Sequence, residues 1–126
     1  MIVALLGPSA DLERCEAARD ALVAAGITVA FDWPSQVRAM RDRGLTDDDL
    51  TDEDRVEIGN ACGNAIDQCD LAWWLCSTSV GAAFEAGYAC RAFVKVVSSG
   101  PQHPIYRAGS HFATDAEALA WIVGNR

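Results

Sequence analysis

The sequence predicts an α/β fold, a three-layer sandwich in which a parallel sheet of four to five strands lies between two layers of helix. Three observations carry this expectation. Short apolar runs alternate with longer stretches of helical periodicity, the runs are apolar on both faces, and turn residues fall between them.

Residues 2–6 form the first strand, and Gly7-Pro8-Ser9-Ala10-Asp11 turns into a helix with Leu12, Cys15, Ala18, Leu22 and Ala25 at helical spacing. Gly26 ends that helix. Residues 27–31 are the second strand, closed by Asp32-Trp33-Pro34, and residues 35–43 are a short basic helix. The acidic stretch from Leu45 to Asp54 reads as a solvated loop and helix start, with Thr46 and Thr51 as caps. It lacks the central Gly of a calcium loop, so no metal is expected there. A helix follows from Arg55 to Gln68, with Val56, Ile58, Cys62, Ala65, Ile66 and Cys69 as its apolar positions and Gly59 and Gly63 as points of close packing.

Residues 70–76 make the third strand, apolar on both faces and therefore central. Ser77 to Gly81 is a turn, residues 82–91 a helix of small residues, and residues 93–97 the fourth strand. A loop over 98–110 leads to a short fifth strand at 111–113, and Thr114 or Asp115 caps a last helix through Val123. Nothing divides the chain, so residues 1–126 are expected to form one domain.

The chain has 126 residues, 51% of them hydrophobic. A domain of this size hides roughly two-thirds of its unfolded surface, so it needs neither disulfides nor a metal to hold together. Ten Lys+Arg against eighteen Asp+Glu give a net charge of −8, which leaves no basic stripe for long nucleic acid. A single nucleotide stays open, because one phosphate can be held at a helix start. No apolar run approaches the ~20 residues of a bilayer crossing, and residues 1–6 lack a basic leader, so no membrane partner is expected. Five scattered cysteines point to reduced thiols and a cytoplasmic setting.

In open parallel sheets ligands bind beyond the carboxyl ends of the strands, which directs attention to residues 7–11, 32–35 and 77–81. The Ser79 hydroxyl and the N–H groups around Gly81 would form an anion or hydroxyl cradle. Glu85 sits one turn into a helix otherwise made of Ala, Gly, Phe and Tyr. Either it lies on the solvent side, or it is a carboxylate kept among apolar groups for use. Trp33 would stack on a base or cap the sheet edge, and Asp32 precedes it.

Asp70 opens its strand at the end opposite the pocket and reads as structural. Trp73, Trp74 and Trp121 read as packing residues, and Cys62 and Cys69 as two small hydrophobes on one helical face. His103 and His111 have no partners at metal-ligand spacing, so zinc is not expected. A dinucleotide fingerprint and a nucleophile elbow are both absent.

Gly7-Pro8-Ser9, Asp32-Trp33-Pro34, the helix ending in Asp70, and the Ser-x-Gly-x-x-x-Glu-x-Gly-x-Ala pattern from Ser79 to Ala89 together resemble the nucleoside 2-deoxyribosyltransferase family. Its superfamily includes the deoxynucleoside 5′-monophosphate N-glycosidases. The resemblance implies a flavodoxin-like sheet, a Glu85 nucleophile that attacks C1′ of a nucleoside or nucleotide, and no cofactor. It also implies that Ser79 lies near the sugar-phosphate or its 5′ end, with Gly7, Pro8 and Ser9 beside the nucleotide. Homo-oligomers are expected from the same source.

One position departs from the family. Its Asp-x-Asn-x-Ile-x-x-x-Asp frame here runs from Cys62 to Asp70, so Asn64, Ile66 and Asp70 match while Cys62 replaces the first Asp. A neutral thiol cannot act as a carboxylate, and Asp67 is rotated off that face. Two further readings therefore stand beside an N-glycosidic-bond transferase or hydrolase. One is a nucleotide-binding module without turnover. The other is a phosphoribohydrolase-like enzyme, whose Pro-Gly-Gly turn is missing from residues 77–81.

Overall fold

A computed structural model describes residues 1–101 and 109–126. Most of the loop expected over 98–110, with His103, lies outside the described residues. The strands are β1 (Ile2–Leu6), β2 (Thr28–Val29), β3 (Leu71–Leu75), β4 (Lys95–Ser99) and β5 (Gly109–Phe112). The helices are α1 (Leu12–Ala24), α2 (Trp33–Asp42), α3 (Asp52–Gln68), α4 (Val80–Arg91) and α5 (Asp115–Gly124). All strand pairs are parallel and run in the order β2-β1-β3-β4-β5. This is the flavodoxin-like arrangement, and its strand order reverses between β1 and β3.

Alternation along the strands divides the core in two. Val3, Leu5, Leu71, Trp73, Leu75 and Val97 pack with Cys15, Leu22 and Ile122, placing α1 and α5 on one face. Ala4, Leu6, Ala72 and Val96 pack with Ile66, Ala86 and Ala89, placing α3 and α4 on the other. Trp73 is buried on the first face and Trp74 packs on the second. Asp70 accepts the Ile2 N–H at 2.7 Å, tying the starts of β1 and β3 together. No helix among the described residues is long and apolar enough to cross a membrane.

Several boundaries differ from the expected ones, each for a local reason. The second strand shrinks to two residues because Asp32 accepts the Ser35 N–H and starts α2 at Trp33, with Pro34 in the first turn. The fourth strand begins two residues late, since the Val94 N–H bonds the Ala89 carbonyl and Phe93 takes a left-handed φ of 61°. Ser98 and Ser99 thereby enter β4 and are buried. Thr51 and Asp54 form a capping box that starts α3 three residues early. The fifth strand begins at Gly109, where a Cβ would lie 1.6 Å from the Val96 carbonyl oxygen, so no side chain fits.

Candidate active site

The buried side of α4 is Ala82, Ala86 and Ala89, small residues that let the helix lie close on the sheet. Glu85 stands one position off this stripe, on the flank facing α3. Ser79 caps the helix by accepting the Ala82 N–H at 3.4 Å. Glu85 lies six positions further on, about 9 Å along the axis.

On α3, Cys62 lies one turn before the buried Ala65 and Ile66. Its thiol is a hydrogen-bonding neighbour of the Glu85 carboxyl in the cleft lining. Burial pushes the Glu85 carboxyl above its ordinary value, and the Cys62 bond offsets part of that rise. Burial, reinforced by the Glu85 charge, pushes the Cys62 thiol up to about 12. The thiol therefore stays protonated near neutrality and is the donor. Cys62, expected as a small packing residue, also lines the cleft beside Glu85.

Glu85 and Cys62 form one wall of a cleft of about 220 Å³, its open mouth included. Ala4, Leu5 and Leu6 of β1 form its floor, Ala65 of α3 lines it beside Cys62, and Phe31 and Trp33 stand at its β2 side. Trp33 Nε1 donates to the Leu5 carbonyl at 2.8 Å, which fixes the indole at the end of β1. Its enclosed part has room for about one water. Among the described residues lining it, Glu85 is the one carboxylate, and there is no His, Lys or Arg.

The other candidates lie around this cleft rather than in it. Asp32 caps α2 through Ser35 and pairs with Arg19 at 2.9 Å. Burial pushes the Asp32 carboxyl up, but the bonds from Ser35 and Arg19 outweigh it and hold it below its ordinary value. Gly7 follows β1 under α1, where a Cβ would lie 2.8 Å from Cys15 Sγ. Pro8 is buried, and its carbonyl accepts the Cys15 thiol at 3.4 Å. The Ser9 carbonyl accepts from Arg41 at 2.5 Å. Asn64 is exposed, because two residues beyond Cys62 carry it about 200° around α3. Gly81 is exposed in the first turn of α4. Asp67 accepts the Tyr88 hydroxyl at 2.9 Å, outside the cleft lining.

Sequence reasoning passed over Phe31 and Ala65 in the cleft, and a polar network on the opposite face. Arg14 makes two bonds to Asp115, at 2.7 and 2.8 Å, and donates to the carbonyls of Cys76 and Ser99. Ser99 donates to Asp115 at 2.6 Å and accepts from Trp73 Nε1 at 2.9 Å. One signal was available: Thr114 and Glu117 form the capping box of α5, leaving the Asp115 side chain for another use. Among the described residues no group of three or more His, Cys, Asp or Glu is placed to hold a metal ion.

No known protein-family profile matches the chain, and no curated protein sequence matches it. Among solved structures the fold is similar to that of a 2-deoxyribosyltransferase from the psychrotolerant bacterium Bacillus psychrosaccharolyticus, an enzyme characterised as a biocatalyst for nucleoside synthesis. The TM-score is 0.71 at 17% identity, over 94% of this chain and 90% of the other. At that identity the likeness speaks for a shared fold.

Proposed function

We propose that this chain cleaves or exchanges the N-glycosidic bond of a nucleoside or nucleotide, with Glu85 as the nucleophile. The observation that carries the reading is the Glu85 carboxylate in an apolar cleft near the β1/β3 switch point, the expected ligand position in such a sheet. Departure of a base leaves oxocarbenium-like charge on C1′, which a carboxylate beneath the sugar captures as an ester. Water then gives a hydrolase, and a second base a transferase. In this reading Trp33 flanks the base, while Ser79 and Gly81 at the start of α4 lie toward the 5′ end.

The test is a panel of nucleosides and nucleoside monophosphates, with and without an acceptor base. Wild type should release or exchange base and Glu85→Ala should not. Equal behaviour of the two across the panel sinks the assignment.

A nucleotide-binding module without turnover is the second reading, favoured by Cys62 at the position where the family frame has Asp. Calorimetry separates the two. The module would bind a nucleotide and leave its glycosidic bond intact, whereas the enzyme would return free base.

A further inference from the structure

We propose that the substrates of this cleft are N-glycosides whose base carries a fixed positive charge, such as a pyridinium nucleoside or an N7-alkylated purine nucleoside. This rests on the reading of Glu85 as nucleophile and adds the class of leaving group. The enclosed part of the cleft has room for about one water, far less than the roughly 300–1,000 Å³ of pockets that enclose a drug-sized ligand. A nucleoside would therefore meet Glu85 at the open mouth of the cleft, its anomeric carbon and base against the lining and the rest of it outside.

Two features of the lining select the leaving group. The first is its supply of protons. A neutral base departs as an anion unless an acid protonates it in the transition state, an effect of about 10²–10⁴ in rate. Among the described lining residues, Glu85 must be ionised to attack, and the Cys62 thiol, pushed up to about 12 by burial and the Glu85 charge, is a weak acid. A cationic base needs no such acid. The second feature is attraction: Trp33 and Phe31 line the same small space as Glu85, and aromatic rings with a carboxylate favour a cationic ring. That positive charge would also offset the cost of an ionised Glu85 among apolar groups.

The step balances without an added proton. As a Glu85 oxygen bonds to C1′, the electron pair of the C1′–N bond passes to the ring nitrogen and cancels its charge, so the base leaves neutral. Water then attacks C1′, the sugar keeps the hydroxyl, the carboxylate is regenerated and one proton goes to solvent.

The experiment uses the full chain with 7-methylguanosine against guanosine and nicotinamide riboside against uridine, each also as the 2′-deoxyriboside. Released base is measured by chromatography and corrected for spontaneous loss, in wild type and Glu85→Gln. The expected result is kcat/KM about 100-fold or more higher for the cationic member of each pair, lost in Glu85→Gln. Equal or faster release from the neutral members overturns the inference and leaves the nucleophile standing. Absence of release from every compound overturns both. Cys62→Asp places a carboxyl beside Glu85 and is expected to narrow the preference; an unchanged preference would overturn the missing acid as its cause.

Discussion

The Cys62 thiol stands beside the Glu85 carboxyl where α3 meets α4, so the one carboxylate among the described residues of the cleft is steadied by a neutral group. A carboxylate at position 62 would set like charges side by side and raise one of the two pKa values. The thiol draws the Glu85 pKa down instead, against the burial that raises it.

Removing that donor therefore has a directed effect on pH dependence. Cys62→Ala leaves burial acting alone, so the Glu85 pKa rises and the acid limb of the rate profile moves to higher pH. Base release should fall several-fold more at about pH 5 than at about pH 8. A loss equal at every pH would contradict the bond's role.

Glu85 also bears on stability. Its pKa is higher folded than unfolded, so its contribution is fully present below the unfolded value and is lost as pH rises through the folded one. Glu85→Gln removes the ionisable group and should melt ~2–5 °C above wild type at about pH 7, the effect of roughly 1 kcal/mol. At about pH 4 the gap should shrink. A thermal melt series shows which holds, and a gap that widens toward acid refutes the burial argument.

The Arg14–Asp115 pair works in the opposite sense. Bonds from Arg14, opposed by burial, hold the Asp115 carboxyl below its ordinary value. Its stabilisation is present above the unfolded pKa and lost as pH falls through the folded one. The side chains are 21% and 32% exposed, so Asp115→Asn should cost less than the 3–5 kcal/mol of a fully buried pair, about 2 kcal/mol at neutral pH. Denaturant titration should find that cost shrinking in acid.

Gly7 is expected to behave as a packing residue. A methyl group there meets Cys15 Sγ at 2.8 Å and Leu75 Cδ1 at 3.4 Å, so Gly7→Ala should cost about 1–3 kcal/mol. Cys15→Ala removes the obstructing sulfur, and the double variant should recover part of the loss. Additive costs in the cycle would show that the sulfur is not the obstacle.

The parallel sheet was legible because its strands are short apolar runs between helical periods, and the alternation of Trp73 and Trp74 was legible from strand geometry. The start of β4 was not, because the left-handed turn at Phe93 has no glycine to announce it. Glu85 stood out as a charge in a helix of small residues. Its contact with Cys62 joins two helices and could be read only through the family frame. Phe31 was hidden as one more apolar strand residue, since β2 ends at Val29 and releases it into the cleft. Arg14 and Asp115 lie 101 residues apart, beyond any local pattern.

The most direct test of the account is the mass of the chain during turnover. Quenching the protein in acid while it acts on 7-methylguanosine or its 2′-deoxy form should give a species heavier by one glycosyl unit. Peptide mapping should place that unit on Glu85, and Glu85→Gln should acquire none. Base release with no adduct on Glu85, or an adduct on any other residue, would contradict the assignment of Glu85 as the nucleophile.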